Sequence, residues 1–391
     1  MIPTGRNRDA KQKIMKLILV AGARPNFMKI APLVRAIKRH NEITDHTDTR
    51  IDFLLVHTGQ HYDIQMSEVF FRDLGLPKPD INLEVGSASH AAQTAKIMTG
   101  FEEVCLAEKP DWIVVVGDVN STMACTLVAA KLGIKVAHVE AGLRSFDRSM
   151  PEEINRLVTD ALADLLLTPS VDADENLIRE GIPREKIQCV GNVMIDTLID
   201  NLDQARQMRA TERFGLKEDK YVFVTLHRPS NVDNEKSLTS IMEILSGLSK
   251  RMDVIFPVHP RTRKQMVSFG ILETARQFPR LIITDPMNYL DTICLVEKAK
   301  FVITDSGGLQ EETTYLKIPC LTVRPNTERP ITITQGSNKL TSIKELSTDI
   351  EHILLNGCSQ RSKIPELWDG NTGKRIINKI MKFTAEYSCS L

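Results

Sequence analysis

Short, continuous runs of apolar residues recur along the chain, and segments with helical periodicity separate them. In the first half the apolar runs cover residues 17–20, 53–56, 112–116, 136–139 and 165–167. Helical patterns, such as those of residues 30–39 and 91–106, lie between these runs. Strands without apolar–polar alternation that are separated by helices are typical of a parallel sheet covered on both faces. The first half therefore predicts an α/β domain.

The same alternation returns in the second half, in residues 221–224, 254–256, 281–283, 301–303 and 320–323. An amphipathic helical pattern over residues 191–211 joins the halves, so the predicted hinge lies near residues 190–192. The prediction is an α/β fold of two Rossmann-like doubly wound parallel-sheet domains, residues 16–190 and 191–372, that face a central cleft. Ligands of such sheets bind beyond the carboxyl ends of the strands. Residues 1–15 are polar, basic and aperiodic, which predicts a disordered extension.

Composition narrows the class of protein. Of the 391 residues, 42% are hydrophobic and 26% are charged, which is typical of a globular enzyme. Lysine plus arginine equal aspartate plus glutamate at 50 each, and a chain without net charge has no general attraction for nucleic acid or for an anionic membrane. No apolar run approaches the roughly 20 residues of a membrane span, and the N-terminus lacks the apolar core of a signal peptide. We expect a cytoplasmic protein.

Neither a metal nor a cofactor is indicated by the sequence. The seven cysteines are odd in number, scattered and never spaced as a metal-binding pair, so we interpret them as free buried thiols rather than as disulfides or zinc ligands. The turn after the first apolar run lacks the GxGxxG spacing of a dinucleotide site. The prediction is therefore no metal and no cofactor.

Charged residues cluster after the apolar run 136–139, at the position where α/β proteins carry their chemistry. Glu140 and Arg144 follow this run directly, and Pro151 suits the first turn of a helix. On that helix Glu152 and Arg156 stand four residues apart and share one face. An isolated pair of this kind is commonly a solvated surface pair. Its proximity to a second acid and a second arginine favours a site for an anionic substrate.

Polar residues also follow other apolar runs of the first half. The turn at residues 21–29 leads into a helix N-terminus, where Arg24 and Lys29 can strengthen an anion site. The alternative there is a capped helix start with solvated basic residues. Asp118 follows a fully apolar strand, and the sequence alone does not separate a helix cap from a catalytic acid or base. Glu140 follows a comparable strand, so Asp118 and Glu140 can converge over one substrate.

Residues 301–312 run as a strand, a serine-glycine-glycine turn and a helix. Gly307 and Gly308 let backbone N–H groups approach a diphosphate at the helix N-terminus, and Ser306 adds a hydroxyl donor. Glu312, one turn further, is suited to accept hydrogen bonds from two ribose hydroxyls. A strand-to-helix turn with two glycines also occurs without a ligand, and that alternative stays open.

Two histidines close apolar strands of the second half. A lone histidine is more often a hydrogen-bonded structural residue than a catalyst. His227 follows the first strand of the second domain and faces Arg24 across the predicted cleft, which makes it a candidate for the site. His259 remains unassigned.

Several motifs occur in the order found in one enzyme family. They lie at the cleft edges of both predicted domains, in residues 22–25, 58–61, 117–118, 138–144, 151–156, 304–312 and 327–330. From residue 16 to about residue 382 the chain resembles the non-hydrolysing UDP-N-acetylglucosamine 2-epimerases, which have the two-domain fold of GT-B glycosyltransferases. The resemblance implies interconversion of UDP-GlcNAc and UDP-ManNAc for surface polysaccharide, by a homodimer without a cofactor. It also implies a C-terminal helix, residues 373–391, that packs back on the first domain.

The resemblance further implies a role for each candidate residue. The family removes the C2 proton while UDP leaves C1, and it reprotonates the resulting glycal on the opposite face. Carboxylates matching Asp118, Glu140 and Glu152 carry this acid–base work, and which acts on which face stays open. His227 is counted with them among the catalytic residues. The substrate-binding residues are the basic residues near the diphosphate and the residues of the nucleotide turn and its helix: Arg24, Lys29, Arg144, Arg156, Ser306, Gly307, Gly308, Glu312 and Arg329.

Many bacterial members of that family also bind a second UDP-sugar as an activator, through a turn similar to Gln60-His61. Here the turn continues with Tyr62 and Asp63, where the members known for this regulation carry Arg or Lys. Three other activities remain alternatives. They are 2-epimerisation of a related sugar such as UDP-2,3-diacetamido-glucuronic acid, glycosyl transfer by a GT-B enzyme, and hydrolytic epimerisation that releases the sugar and UDP.

Overall fold

The computed structural model describes residues 13–44, 49–60, 71–72, 74–357 and 362–388. The chain divides into two compact units. The first unit comprises Met1–Thr197 and Asp369–Leu391, and the second unit comprises Leu198–Trp368. The N-terminal segment of the first unit thus continues past the predicted hinge at residues 190–192 and ends at Thr197, within a helix.

The first unit contains a parallel sheet, to which the described residues contribute seven strands in the order β3-β2-β1-β4-β5-β6-β7. The strands are β1 (Ile14–Ala21), β2 (Arg50–His57), β3 (Ile81–Asn82), β4 (Trp112–Val116), β5 (Lys135–Val139), β6 (Leu165–Thr168) and β7 (Ile187–Cys189). The helices are α1 (Arg24–Ile43), α2 (His90–Glu108), α3 (Asn120–Lys131), α4 (Pro151–Leu162), α5 (Val171–Arg179) and the start of α6 (Val193–Gln207), with a 3₁₀ turn at Arg184–Lys186. The chain order reverses between the neighbouring strands β1 and β4, so the carboxyl ends of these two strands form the topological switch point.

The second unit has the same construction. Six strands of its described residues pair in parallel in the order β10-β9-β8-β11-β12-β13. They are β8 (Tyr221–Thr225), β9 (Asp253–Pro257), β10 (Leu281–Thr284), β11 (Phe301–Thr304), β12 (Cys320–Val323) and β13 (Asn338–Thr341). Helices α7 (Ala210–Arg213), α8 (Pro229–Val232), α9 (Glu235–Ser249), α10 (Pro260–Ser268), α11 (Ile271–Ala275), α12 (Tyr289–Glu297), α13 (Gly307–Leu316), α14 (Ile331–Thr334) and α15 (Ile343–Asn356) complete it. The switch point lies between β8 and β11.

The predicted fold class of two doubly wound α/β domains is confirmed. The predicted extension over residues 1–15 is wrong at its end, because Ile14 and Met15 belong to β1 and Met15 is buried in the core beside its strand partner Ile51. Residues 1–12 of that prediction lie outside the described residues. Three strands were not predicted: β3, β7 and β13. Each lies at the edge of its sheet and is too short or too polar to give a continuous apolar run.

The final helix, α16 (Thr372–Ser388), packs on the first unit, where Ile376, Ile377 and Ile380 join the core beneath α1. The indole of Trp112 in β4 is fully buried, and its Nε1 donates to Thr384 Oγ1 at 2.8 Å. One face of the sheet is therefore closed by helices from the two ends of the sequence. No helix among the described residues is long and apolar enough to span a membrane.

Removing side-chain volume from α16 is expected to destabilise the first unit. Ile380→Ala deletes three buried carbons from a packed core, so we expect a loss of about 2–4 kcal/mol in the free energy of unfolding. Asn378→Ala on the exposed face of the same helix is the control and should cost less than about 0.5 kcal/mol. Urea denaturation followed by circular dichroism measures both. Equal losses for the two variants would show that α16 is not part of this core.

Candidate active site

Asn26, in the first turn of α1, joins the two strands at the switch point of the first unit. Its Oδ1 accepts hydrogen bonds from Gly22 N at 3.0 Å and Ala23 N at 2.9 Å. Its Nδ2 donates to Val116 O, the last residue of β4, at 3.1 Å. The turn after β1 is therefore fixed against the end of β4, which places the next turn of α1 over the carboxyl edge of the sheet.

Lys29 lies on that turn and forms an ion pair with Glu140, directly after β5. Both side chains are buried. Glu140 adopts a left-handed backbone conformation, with φ of 73°, which costs a residue with a side chain roughly 1–2 kcal/mol. Removing one partner of a buried pair leaves an uncompensated charge, at a cost of about 3–5 kcal/mol. The pair therefore fixes the position of the Glu140 side chain at the strand end.

Gly117, the residue after β4, lies beneath this ion pair. Its φ is 69°, and a Cβ built on it would lie 2.7 Å from Lys29 Nζ and 3.4 Å from Glu140 Oε2. Its N–H donates to Val139 O at 3.1 Å, which extends the pairing of β4 with β5 by one residue. A glycine is required here both by backbone conformation and by space.

Asp118 follows and forms an ion pair with Arg156 on α4. Arg156 also donates from Nη2 to Glu153 Oε2 at 2.7 Å. Glu153 in turn accepts hydrogen bonds at 3.0 Å from Ser145 N, Ser145 Oγ and Phe146 N. Burial raises the pKa of Glu153, but the hydrogen bonds from Ser145 and Arg156 outweigh burial and hold the pKa below its usual range. Arg156 is thus oriented by one buried carboxylate and presented to a half-buried one.

The sequence predicted that Glu152 and Arg156, four residues apart, share one face of this helix and meet the same ligand. In the structure the acid that Arg156 meets through the i,i+3 spacing is Glu153, and Glu152 is exposed. Helix α4 begins at Pro151 as predicted, but the loop amides at residues 145–146 turn Glu153 inward. Glu153 was missed by sequence reasoning. The catalytic role of Glu152 remains a prediction. Arg24, the first residue of α1, is half-buried at the same edge of the sheet.

Arg144 is directed to protein groups instead of to open space. Its Nη1 lies 2.7 Å from Asp160 Oδ2 and donates to Leu143 O at 2.8 Å. Its Nε and Nη2 donate to the two carboxylate oxygens of Glu180 at 2.8 and 2.7 Å. These contacts give Arg144 a supporting role at the turn after β5, and they leave its predicted substrate contact untested.

The two residues predicted to form a regulatory turn are only partly described. The amide oxygen of Gln60 accepts from Ser121 Oγ at 2.8 Å, and its backbone oxygen accepts from Gln93 Nε2 at 3.0 Å. Gln60 is buried in these contacts. His61 lies outside the described residues.

In the second unit Asp305 follows β11 and organises the turn after β8. Its carboxylate accepts hydrogen bonds from His227 N and, at 2.8 Å, from Arg228 N. Its Oδ1 also lies 3.0 Å from His227 Nδ1. Burial raises the pKa of Asp305, but the hydrogen bonds from His227 and from the backbone of Arg228 lower it by more, so the pKa lies below its usual range. The His227 side chain is 39% exposed, and its ring lies 5.4 Å from that of His259. Asp305 was not predicted, although it follows an apolar strand just as Asp118 does.

The predicted nucleotide turn caps α13. Ser306, Gly307 and Gly308 are half-buried, and Ser306 N donates to Thr304 Oγ1 at 2.9 Å. A Cβ on Gly307 would lie 2.8 Å from Arg329 Nη1 and 2.9 Å from Glu328 Oε1. The turn therefore rests directly on a pair of charged side chains, and only the absence of a side chain permits this approach.

Arg329, predicted to contact substrate, belongs to a buried ion network. Its Nε lies 2.8 Å from Glu311 Oε1, and its Nη1 pairs with Glu328. Arg324 Nη2 lies 2.7 Å from the other oxygen of Glu328. Burial raises the pKa of Glu328, but Arg329 and Arg324 outweigh burial and lower it far below its usual range. These contacts assign Arg329 a supporting role beneath Gly307, and they leave its predicted substrate contact untested.

Glu312, on the same helix, is buried and accepts from the hydroxyl of Tyr289 at 2.9 Å. Burial raises the pKa of Glu312 to about 7, the hydrogen bond from Tyr289 lowers it in part, and neighbouring Glu311 raises it. A carboxyl group in this state carries a proton over much of the neutral range, and hydroxyl donors from a ligand would favour its ionised form. Across the described residues, no group of three or more histidine, cysteine, aspartate or glutamate side chains could hold a metal ion.

Comparison with known proteins decides the family. The sequence profile of the UDP-N-acetylglucosamine 2-epimerase family matches residues 43–381. The chain belongs to the UDP-N-acetylglucosamine 2-epimerase family. The UDP-N-acetylglucosamine 2-epimerase of Methanocaldococcus jannaschii is 42% identical over 369 residues, which cover 93% of this chain and 98% of that protein. The predicted family resemblance is confirmed.

A crystal structure of that enzyme and one further relative bear on the site. The crystal structure of the Methanocaldococcus jannaschii UDP-GlcNAc 2-epimerase in complex with UDP-GlcNAc and UDP is 41% identical and has a TM-score of 0.84, covering 94% of this chain and 100% of that one. The UDP-2,3-diacetamido-2,3-dideoxy-D-glucuronate 2-epimerase of Pseudomonas aeruginosa is 40% identical over 330 residues, which cover 83% of this chain and 88% of that protein. These two relatives are thus named for different sugars.

We expect Gly117→Ala to be more destabilising than an alanine at an equally strained but open glycine. Gly133 is the matched control, because its φ is 70° and a Cβ there would meet nothing within 4 Å. Gly133→Ala should cost about 1 kcal/mol, the backbone term alone. Gly117→Ala also displaces Lys29 from Glu140, so its loss should be about 2 kcal/mol larger. Equal urea midpoints for the two variants would contradict the close packing of Gly117 under the ion pair.

The raised pKa of Glu312 should appear in the pH dependence of stability. Because this pKa rises from 4.5 to about 7 on folding, the folded protein binds the proton more tightly than the unfolded chain does. The resulting stabilisation is fully present below about pH 4.5 and is lost as the pH rises through about 7.

We therefore expect the wild type to lose on the order of 3 kcal/mol relative to Glu312→Gln between about pH 4.5 and pH 8. Urea unfolding of both proteins across this range measures the difference. Tyr289→Phe removes the hydrogen bond that lowers the pKa, and it should move the midpoint of the loss to higher pH. Parallel curves for the wild type and Glu312→Gln would rule out a titrating Glu312.

Proposed function

We propose that this protein interconverts UDP-GlcNAc and UDP-ManNAc without hydrolysis, and so supplies an amino-sugar precursor for surface polysaccharide. The observation that carries the proposal is the placement of Asp118 and Glu140, two carboxylates with cationic partners, on either side of Gly117 at the carboxyl edge of one sheet. The named activity of the 42% identical relative supports it. The predicted homodimer and cytoplasmic location, and the absence of a cofactor, are parts of the same proposal.

The reaction requires groups that can move a proton on two faces of a sugar. The C2 proton of an N-acetylated hexose has no adjacent carbonyl to acidify it. A carboxylate therefore takes the C2 proton as the C1–O bond breaks and the electron pair leaves with UDP, which gives a glycal. A second acid delivers a proton to the opposite face of C2, and the UDP oxygen adds back to C1. Asp118, Glu140 and Glu152 carry these steps.

Asp118 and Glu140 are the candidates to exchange the C2 proton, because each is held by a cationic partner, Arg156 or Lys29, at the carboxyl edge of the sheet. Glu152 is exposed on α4, so in this proposal it acts from the solvent side of the site. Which of the three serves each face stays open in this proposal.

The diphosphate and nucleoside are bound by the other predicted residues. The turn Ser306-Gly307-Gly308 offers backbone N–H groups at the start of α13, and Glu312 accepts the ribose hydroxyls in its ionised form. Arg24, Lys29, Arg156 and His227 balance the charge that develops on UDP as the C1–O bond breaks. Asp305 holds His227 through Nδ1, which leaves Nε2 for the ligand.

A second candidate substrate has support of its own. The Pseudomonas aeruginosa relative, which is named for UDP-2,3-diacetamido-2,3-dideoxy-D-glucuronate, is 40% identical to this chain. The same elimination chemistry serves that sugar, because its C2 carries the same acetamido group. The two substrates differ at C3 and C6, so parallel assays with both sugars separate the candidates.

Proton NMR of UDP-GlcNAc incubated with the enzyme in heavy water tests the reaction directly. We expect deuterium at C2 and the appearance of UDP-ManNAc with the nucleotide still attached. Free sugar and UDP would indicate a hydrolysing enzyme. Exchange with the diacetamido-glucuronate sugar alone would assign the second candidate, and no exchange with either sugar would overturn both.

In the same assay, Asp118→Asn, Glu140→Gln and Glu152→Gln should each lower turnover by about 10²–10⁴-fold, because each removes a general acid or base. Affinity for UDP, measured by calorimetry, should stay largely unchanged. Glu103→Gln, an exposed acid on α2, is the control and should keep full turnover. Near-normal turnover in all three site variants would contradict the proposed mechanism.

A further inference from the structure

His138 in β5 lies under the candidate site and is fully buried. Its Nδ1 is 2.6 Å from Asp160 Oδ1 on α4, and its Nε2 is 2.9 Å from the backbone oxygen of Gly117. The side chain thus bridges a helix and the turn that carries Asp118. The proposed acid–base steps leave His138 without a role.

Both neighbours of the imidazole are hydrogen-bond acceptors. A backbone carbonyl has no proton to donate, so Nε2 must carry one. The second oxygen of Asp160 accepts from Gly142 N at 3.1 Å and pairs with Arg144 at 2.7 Å, which favours the carboxylate form. The pKa of Asp160 is raised by burial but lowered more by His138 and Arg144, and it lies below its usual range. Asp160 thus holds the imidazole at Nδ1, and Nε2 donates to the backbone oxygen of Gly117.

Neighbouring charges hold Asp160 in place. Arg144, on the turn after β5, and Asp160, on α4, touch each other, and Glu180 at the end of α5 pairs with Arg144. On the far side of Gly117, Lys29 and Glu140 form a pair of their own. The imidazole of His138 is therefore anchored at Asp160, and its Nε2 is directed at Gly117.

The contact with Gly117 bears on Asp118 because the two residues share a peptide bond. The direction of the Gly117 carbonyl sets the plane of that peptide and hence the position of the Asp118 Cα. Asn155 Nδ2 donates to the backbone oxygen of Asp118 at 2.9 Å, and Arg156 holds its carboxylate. On the N-terminal side of Asp118, Gly117 N donates to Val139 O, and His138 restrains the Gly117 carbonyl.

We propose that His138 is a positioning residue, held through Nδ1 by Asp160, whose Nε2 locks the Gly117–Asp118 peptide and so aims the Asp118 carboxylate at the substrate. The part that concerns catalysis rests on the proposed function. The hydrogen bond to Gly117 does not, because it is a contact within the folded chain alone.

Nitrogen-15 NMR of the histidine-labelled protein tests the hydrogen bond to Gly117. Nε2 of His138 should carry the proton that it donates to the Gly117 carbonyl. The signal is assigned by its loss in His138→Gln, or in His138→Asn if the first variant does not fold. An unprotonated Nε2 on His138 in the wild type would overturn the proposal.

Kinetics of two amide variants test the positioning role. Glutamine places its amide nitrogen where Nε2 lies and keeps the bond to Gly117, whereas asparagine mimics Nδ1 and gives that bond up. We expect kcat to fall by less than about 10-fold in His138→Gln and by about 10²-fold or more in His138→Asn, with KM within about threefold. Equal kcat in both variants, or a change confined to KM, would contradict positioning. Lack of C2 exchange by the wild type would instead defeat the proposed function, and the NMR result would stand.

Discussion

The buried ion pair of Lys29 and Glu140 is the interaction on which the candidate site depends. Two charges removed from water are tolerated only if they stay together, so α1 and the end of β5 have to meet above β4. That requirement excludes a side chain at Gly117, whose Cβ would strike the pair. It also holds Glu140 in a left-handed conformation. The reactive edge of the first sheet is thus built around one electrostatic contact.

The sequence predicted the interior of the fold well and its margins poorly. Central strands such as β4 are continuous apolar runs, because helices cover both their faces, and such runs are visible in a sequence. Edge strands such as β13, Asn-Lys-Leu-Thr, pair on one side only and carry no such signal. The same limit explains the missed first residues of β1, where Ile14 is exposed and Lys16 interrupts the apolar run.

The site shows a related division. Residue types at strand ends, among them Asp118 and Glu140, were predictable because the topology brings all such ends to one edge. The partner of each charge was not. Arg156 meets Glu153 instead of Glu152 because the loop before α4 offers amide donors to the inner of two adjacent acids. A rule based on residue spacing along the helix does not include the effect of that loop. Asp305 lay within reach of sequence reasoning, since it follows an apolar strand in the same way as Asp118.

Helix α16 has a consequence for the order in which the protein forms. The second unit is one uninterrupted stretch of chain, whereas the first unit needs residues from both sides of it. On the ribosome the sheet of the first unit emerges early, but the isoleucines of α16 that seal its apolar face arrive only after the whole second unit has been synthesised. The apolar face of the nascent first unit therefore stays partly uncovered until α16 has been synthesised. Chaperones would bind the nascent chain during this period.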